Sequence, residues 1–164
     1  MKMTRKFRFY LDTSVFGSIF DFEDQRRIEI AKELIEEIKK GIFEAFISPL
    51  VLDEIRKAPE NIRDELINVI RELKLPLLAE TEESMLITQN YLQERILPEK
   101  FRDDARHIAI AVFYEMDAII SWNYRHIVNI RVKRMVNAVN LKIGYKPIEI
   151  LSPEEVIEYG EVES

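Results

Sequence analysis

Short apolar runs rich in β-prone residues alternate along this chain with longer amphipathic stretches. The apolar runs predict strands at Phe7 to Asp12, Phe43 to Ser48, Pro76 to Ala79, Asp117 to Ser121 and Pro147 to Leu151, because each is short and bounded by turn formers or charges. Between the first two, Ile28, Ala31, Leu34, Ile35 and Ile38 recur at helical spacing and Gly41 offers a stop. Pro49 suits the first turn of a helix through LVLDEIRK with Ser48 as its cap, and Asn61 begins another through RDELINVIREL. Thr81, with Glu83 and Ser84 behind it, opens a helix through YLQERI. The segment DDARHIAIAVFYE reads as a helix whose two aspartates sit at its positive end, and Ser152 to Glu155 read as a last helix start.

Strands separated by helices in this order predict an α/β fold: a mostly parallel central sheet of about five strands flanked by helices, with a small helical insertion between the second and fourth. No repeat, low-complexity tract or linker interrupts the pattern, so residues 1–164 read as a single domain. A parallel sheet aligns the carboxyl ends of its strands along one edge, where such folds bind ligands. Residues just after the first, second and fourth strands then meet although far apart in sequence. Asp12 ends the first strand, and Thr13 and Ser14 are available to cap the helix that follows.

Composition narrows the chemistry. Apolar residues make up 47% and charged residues 33% of the chain, a globular balance. No window approaches the roughly eighteen apolar residues of a membrane span, and the basic N-terminus MKMTRKFRFY lacks the apolar core of a signal peptide, so a cytoplasmic protein is expected. Without cysteine, any metal must be held by carboxylate, amide, imidazole or water. The net charge of −6 argues against a polyanionic partner, but its distribution argues for one. From Ala118 to Ile148 there is no acid, while Arg125, Arg131, Lys133, Arg134, Lys142 and Lys146 all lie there. Such a segment is either a solvated helix face or a surface for nucleic-acid phosphates.

Four residues are candidates for the common edge: Asp12; Glu54, two turns into the helix after the second strand; Asp104, at a helix start; and Asn123, after the fourth strand. Hard oxygen donors of this kind suit Mg²⁺ or Mn²⁺. Each also has an ordinary reading: a cap for Asp12, a surface acid for Glu54, a first-turn charge for Asp104 and a turn residue for Asn123. Asp104 shares a face with His107 and Ala111, which assigns its neighbour Asp103 to solvent. His107 and His126 are the only histidines; each is either a structural hydrogen-bonding residue or one that orients a carboxylate, a phosphate or a water. Trp122 reads as packing rather than as a base-stacking platform.

Taken in order and at these separations, YLDTSVF, SPLVLDEI, DDARHIAIA and DAIISWNYRHIVN resemble the motifs of the PIN-domain ribonucleases, in particular the VapC-like toxins of toxin–antitoxin systems. The resemblance runs from Phe9 to about Asn140. It implies an acidic pocket at the edge of a parallel sheet and divalent-metal-dependent cleavage of RNA. It also implies metal ligation by Asp12, Glu54 and Asp104, a supporting hydroxyl at Ser14, a cognate antitoxin and a homodimer. One departure stands out: where many members carry a further acid after the fourth strand, this chain has Ser121, Trp122 and Asn123. An amide brings no negative charge.

The expected activity is therefore hydrolysis of RNA phosphodiesters by a bound metal, with Asn123, His107 and His126 in support and Arg125, Arg131, Lys133 and Arg134 contacting backbone phosphates. The rival from another class is an inactive PIN-like module that binds RNA or a protein. A phosphohydrolase with Asp12 as nucleophile is disfavoured, because Ser14 stands where such enzymes carry a second aspartate.

Overall fold

The structure is a computed structural model and describes residues 5–157; the first residues of the basic N-terminal segment fall outside that range. Four parallel strands, β1 (Arg8–Leu11), β2 (Glu44–Phe46), β3 (Ala118–Ile120) and β4 (Glu149–Leu151), form one sheet in the order β2-β1-β3-β4. The two central strands are apolar almost throughout: Phe9, Tyr10 and Leu11 of β1 and every residue of β3 are buried. Such continuous runs are expected of strands covered by helices on both faces. In β2 and β4 the first residue is exposed and only the middle one is buried, as befits edge strands.

The expected third strand, Pro76 to Ala79, is reduced to a bridge. Ile47 N–H donates to Pro76 O (3.1 Å) and Leu78 N–H to Ile47 O (2.7 Å). Proline supplies no donor and Leu77 is half exposed, so the segment lies beside β2 without extending the ladder.

Helices fill the crossovers: α1 (Thr13–Gly17), α2 (Gln25–Lys39), α3 (Pro49–Ile55), α4 (Glu60–Leu73), α5 (Glu82–Gln93), α6 (Arg102–Phe113) and α7 (Ile130–Ile143). The insertion between β2 and β3 is α3 to α6. Its helix α5 opens with a capping box, in which Thr81 Oγ1 accepts from Ser84 N–H while Ser84 Oγ accepts from Thr81 N–H. Helix α6 runs through the interior, buried from His107 to Val112, and its alanines let α5 and the sheet approach closely. Gly41 (φ +73°), just beyond α2, and Gly144 (φ +90°), which caps α7, hold the left-handed conformations that end these helices. Among the described residues no helix is long and apolar enough to cross a membrane.

The chain leaves β1 toward β2 on one side and later returns to β3 on the other. The crossovers thus diverge at the carboxyl ends of β1 and β3, which opens a crevice there. The ladder continues one step past the strands, with Asp12 N–H donating to Ile120 O (3.1 Å) and Ser121 N–H to Leu151 O (3.0 Å). That step sets Asp12 and Ser121 side by side at the mouth of the crevice.

Candidate active site

Asp12 is 4% exposed and acts as the N-cap of α1, contrary to the expectation that Thr13 or Ser14 would cap it. Its Oδ1 accepts from Ser14 N–H (3.1 Å) and Ser14 O–H (2.6 Å), and its Oδ2 accepts from Ser121 O–H (2.9 Å). The two hydroxyls are themselves held: Ser14 Oγ accepts from Trp122 N–H and Ser121 Oγ from Asn123 N–H, each at 2.9 Å. Capping and a place in the site are thus one arrangement. Burial pushes the Asp12 carboxyl above its ordinary range, a rise to which the charge of Asp104 adds and which His107 and the two serines oppose.

Glu54 reaches the same edge from the last turn of α3. Its Oε1 accepts from Thr13 O–H (2.8 Å) and lies 2.5 Å from His107 Nε2, while its Oε2 has no hydrogen bond among the described residues. Burial pushes its carboxyl up, but His107, Thr13 and the charge of Lys57 outweigh it and hold the group below the ordinary value. Asp104, in the first turn of α6, meets His126 Nδ1 through Oδ2 (3.1 Å) and leaves Oδ1 without a hydrogen bond among the described residues. Its carboxyl is raised, chiefly by burial and partly by Glu54, against the pull of His126 and His107. Asp103 lies on the outer face as expected, paired with Arg106 (2.9 Å).

The fold therefore gathers Asp12, Glu54 and Asp104 around one crevice, each within electrostatic reach of another. As hard oxygen donors, two of them with a spare oxygen, they fit Mg²⁺ or Mn²⁺, which take a few carboxylates and complete their shell with water. Among the described residues no three acids or histidines stand close enough together to hold a metal ion as they are, so the fit is one of donor chemistry rather than of a formed site. Asn123 is engaged within its own loop: its Oδ1 accepts from His126 N–H (2.9 Å), and its carbonyl accepts from Ile127 and Val128 N–H. It is the cap of the loop at 121–129, holding His126 where that imidazole meets Asp104 and lies over the Phe101 ring (centroids 3.7 Å).

The basic segment divides. Arg131 is tied to backbone carbonyls, Nη1 to Ile96 O (2.8 Å) and Nη2 to Arg95 O (2.9 Å), so its donors brace a turn rather than wait for phosphate. Lys142 and Lys146 are paired with Glu94 and Glu115. Arg125, Lys133 and Arg134 form no ion pair with the described residues and lie on the loop after β3 and in the first half of α7. Trp122 is buried as expected, with Arg27 of α2 over its ring at 4.7 Å.

Several contributors escape sequence reasoning. Thr13, Ser121, Tyr10 and Ser48 all bear on the acids. Ser48 precedes α3 but makes no capping bond; its hydroxyl lies 2.8 Å from Tyr10 OH instead. The alternation of β1 was the available signal, since it puts Tyr10 and Asp12 on the same face.

The sequence matches the family model of the PIN domain over residues 9–127. Among solved structures the chain is similar to VapBC2 from Rickettsia felis, crystallised with a DNA fragment from their promoter, with a TM-score of 0.55 and 10% identity over 88% of this chain and 98% of that one. It is also similar to VapBC-5 from Mycobacterium tuberculosis, a member of the VapBC family of toxin–antitoxin systems, with a TM-score of 0.49 and 15% identity over 88% and 98% of the two chains. At 10% identity the first likeness speaks for the fold alone. No curated protein matches the sequence.

Proposed function

Because this chain belongs to the PIN domain family, we propose that its acidic crevice hydrolyses RNA phosphodiester bonds with the help of Mg²⁺ or Mn²⁺, and that the protein is the toxin of a toxin–antitoxin pair. The observation that carries this reading is the meeting of Asp12, Glu54 and Asp104 at the carboxyl ends of β1 and β3, from three separate elements. Like charges kept together and partly buried are costly unless something binds between them.

Asp12, Glu54 and Asp104 hold the cation in this reading. When bound, it supplies an acidified water as nucleophile and neutralises charge developing on the phosphate. Ser14 and Ser121 fix the Asp12 carboxylate through charge-assisted hydrogen bonds, so little reorganisation is needed as the reaction proceeds. His126, held by Asn123 and packed against the Phe101 ring, orients Asp104. Arg125, Lys133 and Arg134 bind backbone phosphates, which gives affinity without choice of sequence. The cognate antitoxin blocks the crevice, and the toxin acts as a homodimer in the cytoplasm.

Cleavage of total RNA with and without chelator, with the new ends mapped, tests the reading. Loss of cleavage on chelation and in Asp12→Asn supports it; cleavage that persists in both overturns it. A second reading, an inactive PIN-like module that binds RNA or protein, is favoured by the engagement of Asn123 Oδ1 in its own loop. RNA binding without heat of Mg²⁺ or Mn²⁺ binding at millimolar concentration would decide for it.

A further inference from the structure

A chain of hydrogen bonds runs from the buried end of β2 to the crevice. Ser48 Oγ lies 2.8 Å from Tyr10 OH, Tyr10 OH 2.6 Å from His107 Nδ1, and His107 Nε2 2.5 Å from Glu54 Oε1. Tyr10, Ser48 and His107 are each at most 1% exposed, whereas the Glu54 side chain is 28% exposed and faces the crevice. The protons along this chain follow from its two ends. An ionised carboxylate only accepts, so His107 Nε2 carries the hydrogen and donates. With the hydrogen on Nε2, Nδ1 is the acceptor of the Tyr10 O–H, and the Tyr10 oxygen in turn accepts from Ser48. Every donor points toward Glu54, and no buried polar atom in the series lacks a partner.

We infer that Tyr10 and His107 are positioning residues, which together with Thr13 fix Oε1 of Glu54 and turn its unpartnered Oε2 to the crevice. This rests on the reading of Glu54 as part of the reactive site. The series ends on a carboxylate of which a single oxygen is engaged. It also links three elements, β1, α6 and α3 with the residue that precedes it, so the orientation of Glu54 is set by the core of the fold and not only by the short helix that carries it. Hydrogen-bonded support of this kind typically changes activity by roughly 10- to 100-fold when removed.

Two measurements test the inference. In metal-free protein labelled with ¹⁵N, the His107 ring nitrogens should show Nε2 protonated and Nδ1 bare. Glu54→Gln should shift Nε2, and Tyr10→Phe should shift Nδ1. A ring protonated on Nδ1 alone, or resonances indifferent to both substitutions, would overturn the proposal. In steady-state cleavage of an oligoribonucleotide with Mn²⁺, His107→Asn, which keeps a polar group near Nδ1 but loses the donor to Glu54, should lower kcat by roughly tenfold or more with KM little changed. His107→Gln, whose amide N–H reaches the place of Nε2, should restore most of kcat. A His107→Asn enzyme with lowered melting temperature but wild-type kcat would show the series to be structural only. If wild-type protein fails to cleave, the nuclease reading falls, and the nitrogen resonances still decide the orientation of the series.

Discussion

Replacing Asp12 by asparagine should make the metal-free protein more stable while destroying its proposed activity. The carboxylate is 4% exposed and has no cationic side chain hydrogen-bonded to it, only the hydroxyls of Ser14 and Ser121 and one backbone N–H. An amide occupies the same volume. Its oxygen keeps both Ser14 donors, and its NH₂ donates to Ser121 Oγ, whose second lone pair already serves Asn123 N–H. The hydroxyl proton so released can turn toward Ser14 Oγ, 3.4 Å away. One of the two amide N–H groups is paired and the other is left to the crevice, and against that stands the removal of a charge that burial disfavours. The gain is about 1–2 kcal/mol, the low end of what neutralising buried ions recovers, or roughly 2–8 °C in Tm for a chain of this size. The pH dependence follows from the direction of the Asp12 shift. Its folded-state pKa is raised, so below the ordinary carboxylate value of about 4 the group is protonated in folded and unfolded chains alike, and the two proteins should be equally stable. As pH rises the wild type loses ground, and the difference is complete above the raised folded-state value. Circular-dichroism melts in chelator between pH 4 and pH 8 measure it. A variant less stable than wild type at pH 8, or an offset of equal size at both ends, would refute the reasoning.

Asp117 should behave in the opposite way. It receives both Arg5 guanidinium nitrogens (2.9 and 2.7 Å) and Arg8 N–H (2.7 Å), which outweigh burial and hold its carboxyl below the ordinary range. Asp117→Asn should therefore cost about 1 kcal/mol at pH 7, a loss that disappears in urea titrations as pH falls through the lowered folded-state value. Tyr91→Phe strips the donor from Asn140 Oδ1 (2.5 Å) at a site with no exposure and should cost about 1–2 kcal/mol in the same assay; an unchanged midpoint would show that the amide finds another partner. Alanine at Arg125, Lys133 or Arg134 should weaken RNA binding and lower its salt slope by about one per contact. Alanine at Arg131 should lower Tm instead, since that side chain braces the carbonyls of Arg95 and Ile96. Equal salt effects from all four would place Arg131 back among the phosphate contacts.

What could be read from the sequence was local. The four strands of the sheet and the helices between them follow from apolar runs and helical spacing, and the placing of Asp12 and Asp104 follows from a strand end and a helix start, that of Glu54 from the helix after the second strand. Pro76 to Ala79 looked like a strand because its composition is apolar, yet pairing needs a donor and a covered face, which Pro76 and the half-exposed Leu77 do not provide. Arg131 looked free because its partners lie 35 and 36 residues away, on a turn that no pattern links to α7. Asn123 looked like a weakened ligand, whereas its side chain closes its own loop, a local bond that competes with any outward role. The series from Ser48 to Glu54 was invisible for the same reason as Arg131: it joins residues 38, 97 and 53 positions apart that only the sheet order and α6 bring together.

The central claim is that the three acids form the site of metal-dependent RNA hydrolysis. It is tested most directly by incubating RNA with wild-type protein and with Asp12→Asn, each in chelator and in Mn²⁺, and mapping the ends. The account predicts cut RNA in one of the four reactions, wild type with Mn²⁺. Cleavage by Asp12→Asn, or by wild type in chelator, would contradict it.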